Sequence, residues 1–251
     1  MPLATNNLYE SDIYTVRRFG EHTLRVSYLR VCRKSGYEPI DDAPKKGTVN
    51  TEKLSNNLVR AKSTVRELVL CNPWDYWCTF TISKERYDRY NLKAFFKAFG
   101  EFIHNYNRRC AECDKVKYLL VPEQHKDGAW HLHGFIKGIR QKDLYINQHG
   151  YLTWKQYEKN FGFISMSAVR DIDRASSYIL KYMTKEIVST ALELNAHSYY
   201  ASNGLQRAEE LYRGHGIYTG EWDWEHEEGY CKVKTIDERK VDISEIFEVV
   251  E

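Results

Sequence analysis

Hydrophobic and polar positions alternate in recognisable periods along most of the chain. From Thr51 to Leu70 the apolar residues Leu54, Leu58, Val65, Leu68 and Val69 recur near helical spacing, with Arg60, Lys62 and Arg66 on other faces. Asn72 and Pro73 interrupt this helix. Tyr76 to Thr81, YWCTFT, then alternates Tyr76, Cys78 and Phe80 with Trp77, Thr79 and Thr81, the two-residue period of a strand. Leu92 to Tyr106 returns to helical spacing through Leu92, Phe95, Phe96, Phe99 and Ile103. Lys117 to Lys137, KYLLVPEQHKDGAWHLHGFIK, places two apolar runs around Lys126, Asp127 and Gly128 and predicts a β-hairpin. A short helix near Thr153 to Lys159, a strand over Gly162 to Val169 and a helix over Asp173 to Val188, with Asp173 as its N-cap, complete the series.

Strands and helices without strict βα alternation predict an α+β layer fold. The flanks are less legible. Thr23 to Val31 alternates as a strand would, Asp41 to Gly47 is a turn-rich connector, and Tyr199 to Gly216 reads as an exit into an extension. The expected organisation is an N-terminal flank with a basic helix over residues 1–70, a central domain over 71–190, and a C-terminal extension with an acidic tail over 191–251.

Composition narrows the class. In 251 residues, 42% hydrophobic and 14% aromatic content suffices for a core and argues against disorder. The formal charge of +2 is unevenly placed: +4 over residues 1–70, +5 over 81–140 and −7 over 221–251. A basic body fits a protein that meets phosphates on one surface, although a solvated mixed surface gives the same numbers. There is no basic-then-apolar leader at the N-terminus and no run of about 18 apolar residues, so no membrane partner is expected. Six cysteines do not form a disulfide framework in a chain this long, which points to a reducing cytoplasm. Cys110 and Cys113 lack a second pair at zinc-ligand spacing and read as a helix end. The chain contains no P-loop motif.

Two stretches carry candidate chemistry. His131 and His133, at i and i+2 on a strand, project to one face while Leu132 turns into the core. The hairpin can bring Glu123 back beside them, and two imidazoles with a carboxylate make a divalent-cation site with open positions. A pair of surface histidines would look the same in this stretch alone. Downstream, Tyr178 and Tyr182 lie four apart, on one helix face, each followed three residues later by a lysine, Lys181 and Lys185. Core helices also carry tyrosines at this spacing.

Taken together, HLH on a strand, Glu123 upstream and tandem Y-x-x-K on a helix resemble the HUH endonucleases. The resemblance is in particular to rolling-circle replication initiators of phages and plasmids with two tyrosines, and it covers roughly Asn72 to Lys185. It implies an antiparallel sheet of ferredoxin or RNA-recognition type with helices packed on one side. It also implies Mg2+ or Mn2+ held by Glu123, His131 and His133, with Tyr178 and Tyr182 as nucleophiles assisted by Lys181 and Lys185. The substrate would be single-stranded DNA at a replication origin, or an extruded hairpin, cut through a 5′-phosphotyrosine intermediate. Helicase and polymerase would come from a bacterial host whose cytoplasm houses the protein. An HUH transposase and a non-catalytic module that grips single strands are the alternatives; chain length and Tyr182 favour the initiator over the former, and the Glu/His/His set over the latter.

Overall fold

The segment around YWCTFT is the middle of a seven-stranded antiparallel sheet. The computed structural model describes residues 9–33, 51–108, 110–111, 115–184 and 197–250, with side chains from residue 57 onward in the first helix. Lys185 and Cys113, and the connector expected over Asp41 to Gly47, lie outside the described residues. The described part forms two compact units, one from Met1–Thr48 with Arg207–Glu251, the other from Val49–Gln206. Strands from the two ends of the described chain pair with each other, Tyr9–Phe19 with Glu209–Gly214 and Thr23–Arg33 with Cys231–Asp237.

In the larger unit, α1 (Thr51–Leu70) leads into β3 (Tyr76–Thr81), and α2 (Leu92–Asn107) into the hairpin β4 (Lys117–Gln124) and β5 (Trp130–Lys137). The small hairpin β6 (Leu144–Ile146) and β7 (Leu152–Trp154) follows, then α3 (Lys155–Asn160), β8 (Ile164–Ala168), α4 (Ile172–Ile179) and β9 (Tyr200–Ala201). The strands run in the order β6-β7-β8-β3-β5-β4-β9, every pair antiparallel.

Alternation sorts the side chains. Cys78, Phe80, Leu120, Leu132, Ile136 and Ile164 face α2 and α3 and form the main core with Phe95, Phe99, Tyr157 and Phe161. The neighbours on each strand, Trp77, Leu119, Val121 and Phe135, face the other way. They meet Leu58, Val65, Leu68 and Val69 of α1 and Ile179 and Met183 of the α4 segment. The expected helix layer on one face is therefore present, and α1 and α4 also cover part of the opposite face. The helix expected in the N-terminal flank belongs, by its packing, to this sheet.

Two glycines set the spacing near the hairpin and β8. A Cβ on Gly134 would lie 2.0 Å from the Leu119 carbonyl oxygen, and one on Gly162, at φ +140°, would lie 2.6 Å from both Ser83 N and Thr81 O. Both positions need a residue without a side chain.

A buried carboxylate ties α2 to α3. Tyr106 donates to Asp143 Oδ2 at 2.6 Å, Arg140 Nε donates to the same oxygen at 2.8 Å, and Gln156 donates to Asp143 Oδ1 at 2.7 Å. Burial alone would raise the Asp143 carboxyl, but the bonds from Tyr106, Gln156 and Arg140 outweigh it and hold it low. Burial, then the Asp143 bond, pushes the Tyr106 phenol up to about 12.

The smaller unit holds a five-stranded sheet in the order β10-β1-β2-β13-β12 and a two-stranded β11-β14 pair. Here β1 is Tyr9–Phe19, β2 Thr23–Arg33, β10 Glu209–Gly214, β11 Gly216–Tyr218, β12 Trp224–Glu225, β13 Cys231–Asp237 and β14 Phe247–Val249. The strand expected over Thr23 to Val31 is present. The segment expected as an acidic tail instead supplies β13, and several of its carboxylates are paired: Asp223 with Lys234 at 2.8 Å, Glu225 with Lys232 at 2.7 Å and Glu238 with Arg18 at 2.9 Å.

Candidate active site on the open face of the sheet

Antiparallel register puts the candidate ligands in adjacent positions. Glu123 of β4 stands opposite His131 of β5, which stands opposite Thr81 of β3. His133 stands opposite Val121 on one side and Thr79 on the other. Leu132, between the two histidines, is fully buried in the main core, as the strand period requires. Glu123, His131, His133, Thr79 and Thr81 therefore share the face opposite α2.

His133 is 7% exposed and bonded at both ring nitrogens. Nε2 lies 2.7 Å from Glu123 Oε2 and Nδ1 lies 3.2 Å from Thr79 Oγ1. A neutral imidazole has one donor and one acceptor, so with Glu123 ionised Nε2 donates and Nδ1 accepts from the threonine hydroxyl. Burial lowers the His133 pKa despite the Glu123 bond, and burial followed by the nearby His125 and His133 lowers that of His131. In both rings the shift favours the neutral form, the one that ligates metals. His125, which the sequence did not single out, stacks on His131 with centroids 3.8 Å apart at 13°. Its only sequence signal is its place at the end of β4, ahead of the turn.

Tyr178 and Tyr182 arrive from the other side of this face. Asp171, two residues before the expected cap Asp173, accepts from Arg174 N at 2.9 Å and starts α4. Ile179 and Met183 are buried beneath the helix, and Leu180–Tyr182 continues as a 3-10 turn. This anchoring sets the Tyr182 ring parallel to His133, with centroids 4.0 Å apart at 14°. The Tyr182 hydroxyl donates to the Tyr178 hydroxyl at 2.9 Å. Tyr178 is 44% exposed, packs edge-on against Trp77 at 5.2 Å, and has Lys181 Nζ 5.5 Å from its ring centre. Burial, then the bond to Tyr178, pushes the Tyr182 phenol far up. Trp74 and Trp130 are buried, and Trp77 is held among Phe135 and the two tyrosines.

One carboxylate and two imidazoles on neighbouring register positions suit a divalent cation by donor chemistry. As the side chains stand, Glu123 is turned onto His133. Among the described residues no three His, Cys, Asp or Glu side chains converge on one point.

Residues 75–187 match the family described as Replication-associated protein ORF2/G2P. The match spans β3 through the tyrosine segment, so it contains every residue of the face just described. Over that span the chain is similar to replication-associated proteins. No curated protein and no solved structure matches. Among the described residues no helix is long and apolar enough to cross a membrane.

Proposed function

We propose that this chain is a rolling-circle replication initiator of the HUH type, which nicks and rejoins single-stranded origin DNA through a 5′-phosphotyrosine bond. The observation that carries the reading is the stack of Tyr182 on His133. A helix distant in sequence brings two linked tyrosyl hydroxyls to the Glu/His/His face, inside the span that matches replication-associated proteins.

Glu123, His131 and His133 would hold Mg2+ or Mn2+ after Glu123 turns off His133. Such an ion would supply Lewis-acid polarisation of a scissile phosphate held against these residues. Thr79 fixes the His133 ring through Nδ1, the role that partners behind a ligand usually play. The Tyr178 oxygen attacks phosphorus, the P–O3′ bond breaks, the phenolic proton passes to solvent, and the released 3′ oxygen takes up a proton. A phenol is a poor nucleophile at neutral pH, so charge near it matters; Lys181 and Lys185 stabilise the developing phenolate and phosphorane charge. Tyr182 stays protonated and donates to Tyr178 until the second cut, when the roles exchange. The phosphodiester energy is kept in the tyrosyl bond, so no nucleotide is consumed.

The test is incubation of the protein with a circular single strand bearing its own origin, with Mg2+ or Mn2+. A protein–DNA adduct and a mapped nick with a free 3′-OH support the reading. Binding without an adduct contradicts it.

A further inference from the structure

The open face continues past the candidate ligands. Glu123, His131 and Thr81 lie side by side on β4, β5 and β3, and Thr81 N donates to the Phe163 carbonyl at 2.8 Å, which adds the start of β8 to the same row. Phe163 precedes Ile164, which is fully buried in the core, so its ring turns to the site face. Ser165, next on that face, stands opposite Thr79. Phe163 is 36% exposed and meets Tyr151, 52% exposed, edge to face with centroids 6.0 Å apart at 79°.

We propose that Phe163, backed by Tyr151, is a stacking platform for a nucleobase next to the scissile phosphate of a single-stranded DNA substrate. The inference deepens the nuclease reading and rests on it. Phe163 is two strands from His131, about 10 Å across a sheet. Both rings sit on backbone that is already fixed. Gly162 abuts β3 too closely for any side chain, and Asn147 Oδ1 accepts from Tyr151 N at 3.1 Å in a tight turn. Rigid aromatics lose little entropy when a base stacks on them, and every base offers a π-face. Positive charge lies on the other face of the same strands, beside α3. Ser83 N donates to Phe161 O at 2.8 Å, and just beyond, Arg86, Lys155 and Lys159 line a cleft of about 290 Å3 with Tyr145 and Glu158. The one carboxylate there already accepts from the Tyr145 hydroxyl.

The experiment uses the full chain and oligothymidylates carrying a single 2-aminopurine at successive positions, in metal-free buffer. The wild-type protein quenches the probe at one position, and Phe163→Ala loses that quenching and weakens binding by about tenfold, the scale of one base on one ring. Phe163→Trp retains both. Tyr151→Ala, on an exposed turn, weakens binding by a smaller factor with its melting temperature unchanged. Wild-type affinity and quenching in Phe163→Ala overturn the platform and leave the nuclease reading standing. Failure of the wild-type chain to bind single strands, or to form an adduct on its origin, overturns both.

Discussion

The Tyr182 ring lies parallel to the His133 imidazole at 4.0 Å, so the helix that carries the tyrosines and the strand that carries the histidines form one site. The ring and the hydroxyl do separate work. Tyr182→Phe keeps the stack and loses one bond to Tyr178, costing about 1 kcal/mol of stability. Tyr182→Ala opens a gap against His133 and Trp77 and costs about 3 kcal/mol. Urea unfolding of the two variants reads the difference; equal losses would contradict the stacking role.

On the proposed function, nicking should depend on the donor set. His131→Ala and His133→Ala abolish it in Mg2+ or Mn2+ with the fold kept, and Glu123→Ala weakens it less because a water can replace one carboxylate oxygen. Circular dichroism with a gel-based nicking assay checks this. Undiminished wild-type nicking in EDTA would rule out the metal.

The Tyr106–Asp143 pair makes stability depend on pH at both extremes. The folded-state phenol is raised to about 12, so its stabilisation is complete below the unfolded value near 10 and is lost as pH rises through 12. Asp143 is lowered, so its stabilisation is present above the ordinary carboxyl range and lost as pH falls through the folded-state value. Tyr106→Phe therefore flattens the alkaline limb of a urea-midpoint profile. An unchanged slope there would refute the assignment.

Gly134→Ala tests the hairpin. A Cβ 2.0 Å from Leu119 O forces β4 and β5 apart, at a cost of about 3 kcal/mol. A shift in the urea midpoint of the purified variant measures it, and a neutral outcome would mean the hairpin tolerates that separation.

What the sequence disclosed follows from range. The helices around Leu58 and Phe99 and the strands around Phe80 and Leu132 have local periods, and register then places Glu123 opposite His131. The hairpin β6-β7 has three-residue strands, too short to show a period. β1 is local, a hairpin partner of β2 through the short turn at residues 20–22, yet its mixed polar run shows no clean alternation; β13 was not read because it reaches β2 from the other end of the chain, with Ile236 facing Leu24. No local pattern encodes such a partner. Asp171 rather than Asp173 caps α4 because both lie within the ±2 residues by which helix starts are ambiguous. His125, Tyr151 and Phe163 escaped notice as ordinary residues at turns and strand ends, and only tertiary structure shows that each meets another ring.

The central claim is that Tyr178 and Tyr182 are both nucleophiles, and peptide mapping of the DNA-linked fragment tests it most directly. The measurement uses an origin oligonucleotide with the wild-type chain, each Tyr→Phe single variant and the double variant. The wild-type adduct should be mainly on Tyr178, which is exposed, while Tyr182 is held protonated against His133. Tyr182→Phe should label Tyr178, Tyr178→Phe should label Tyr182 more slowly, and the double variant should carry none. An adduct in the double variant, or a label on a single tyrosine in every protein, would contradict the account.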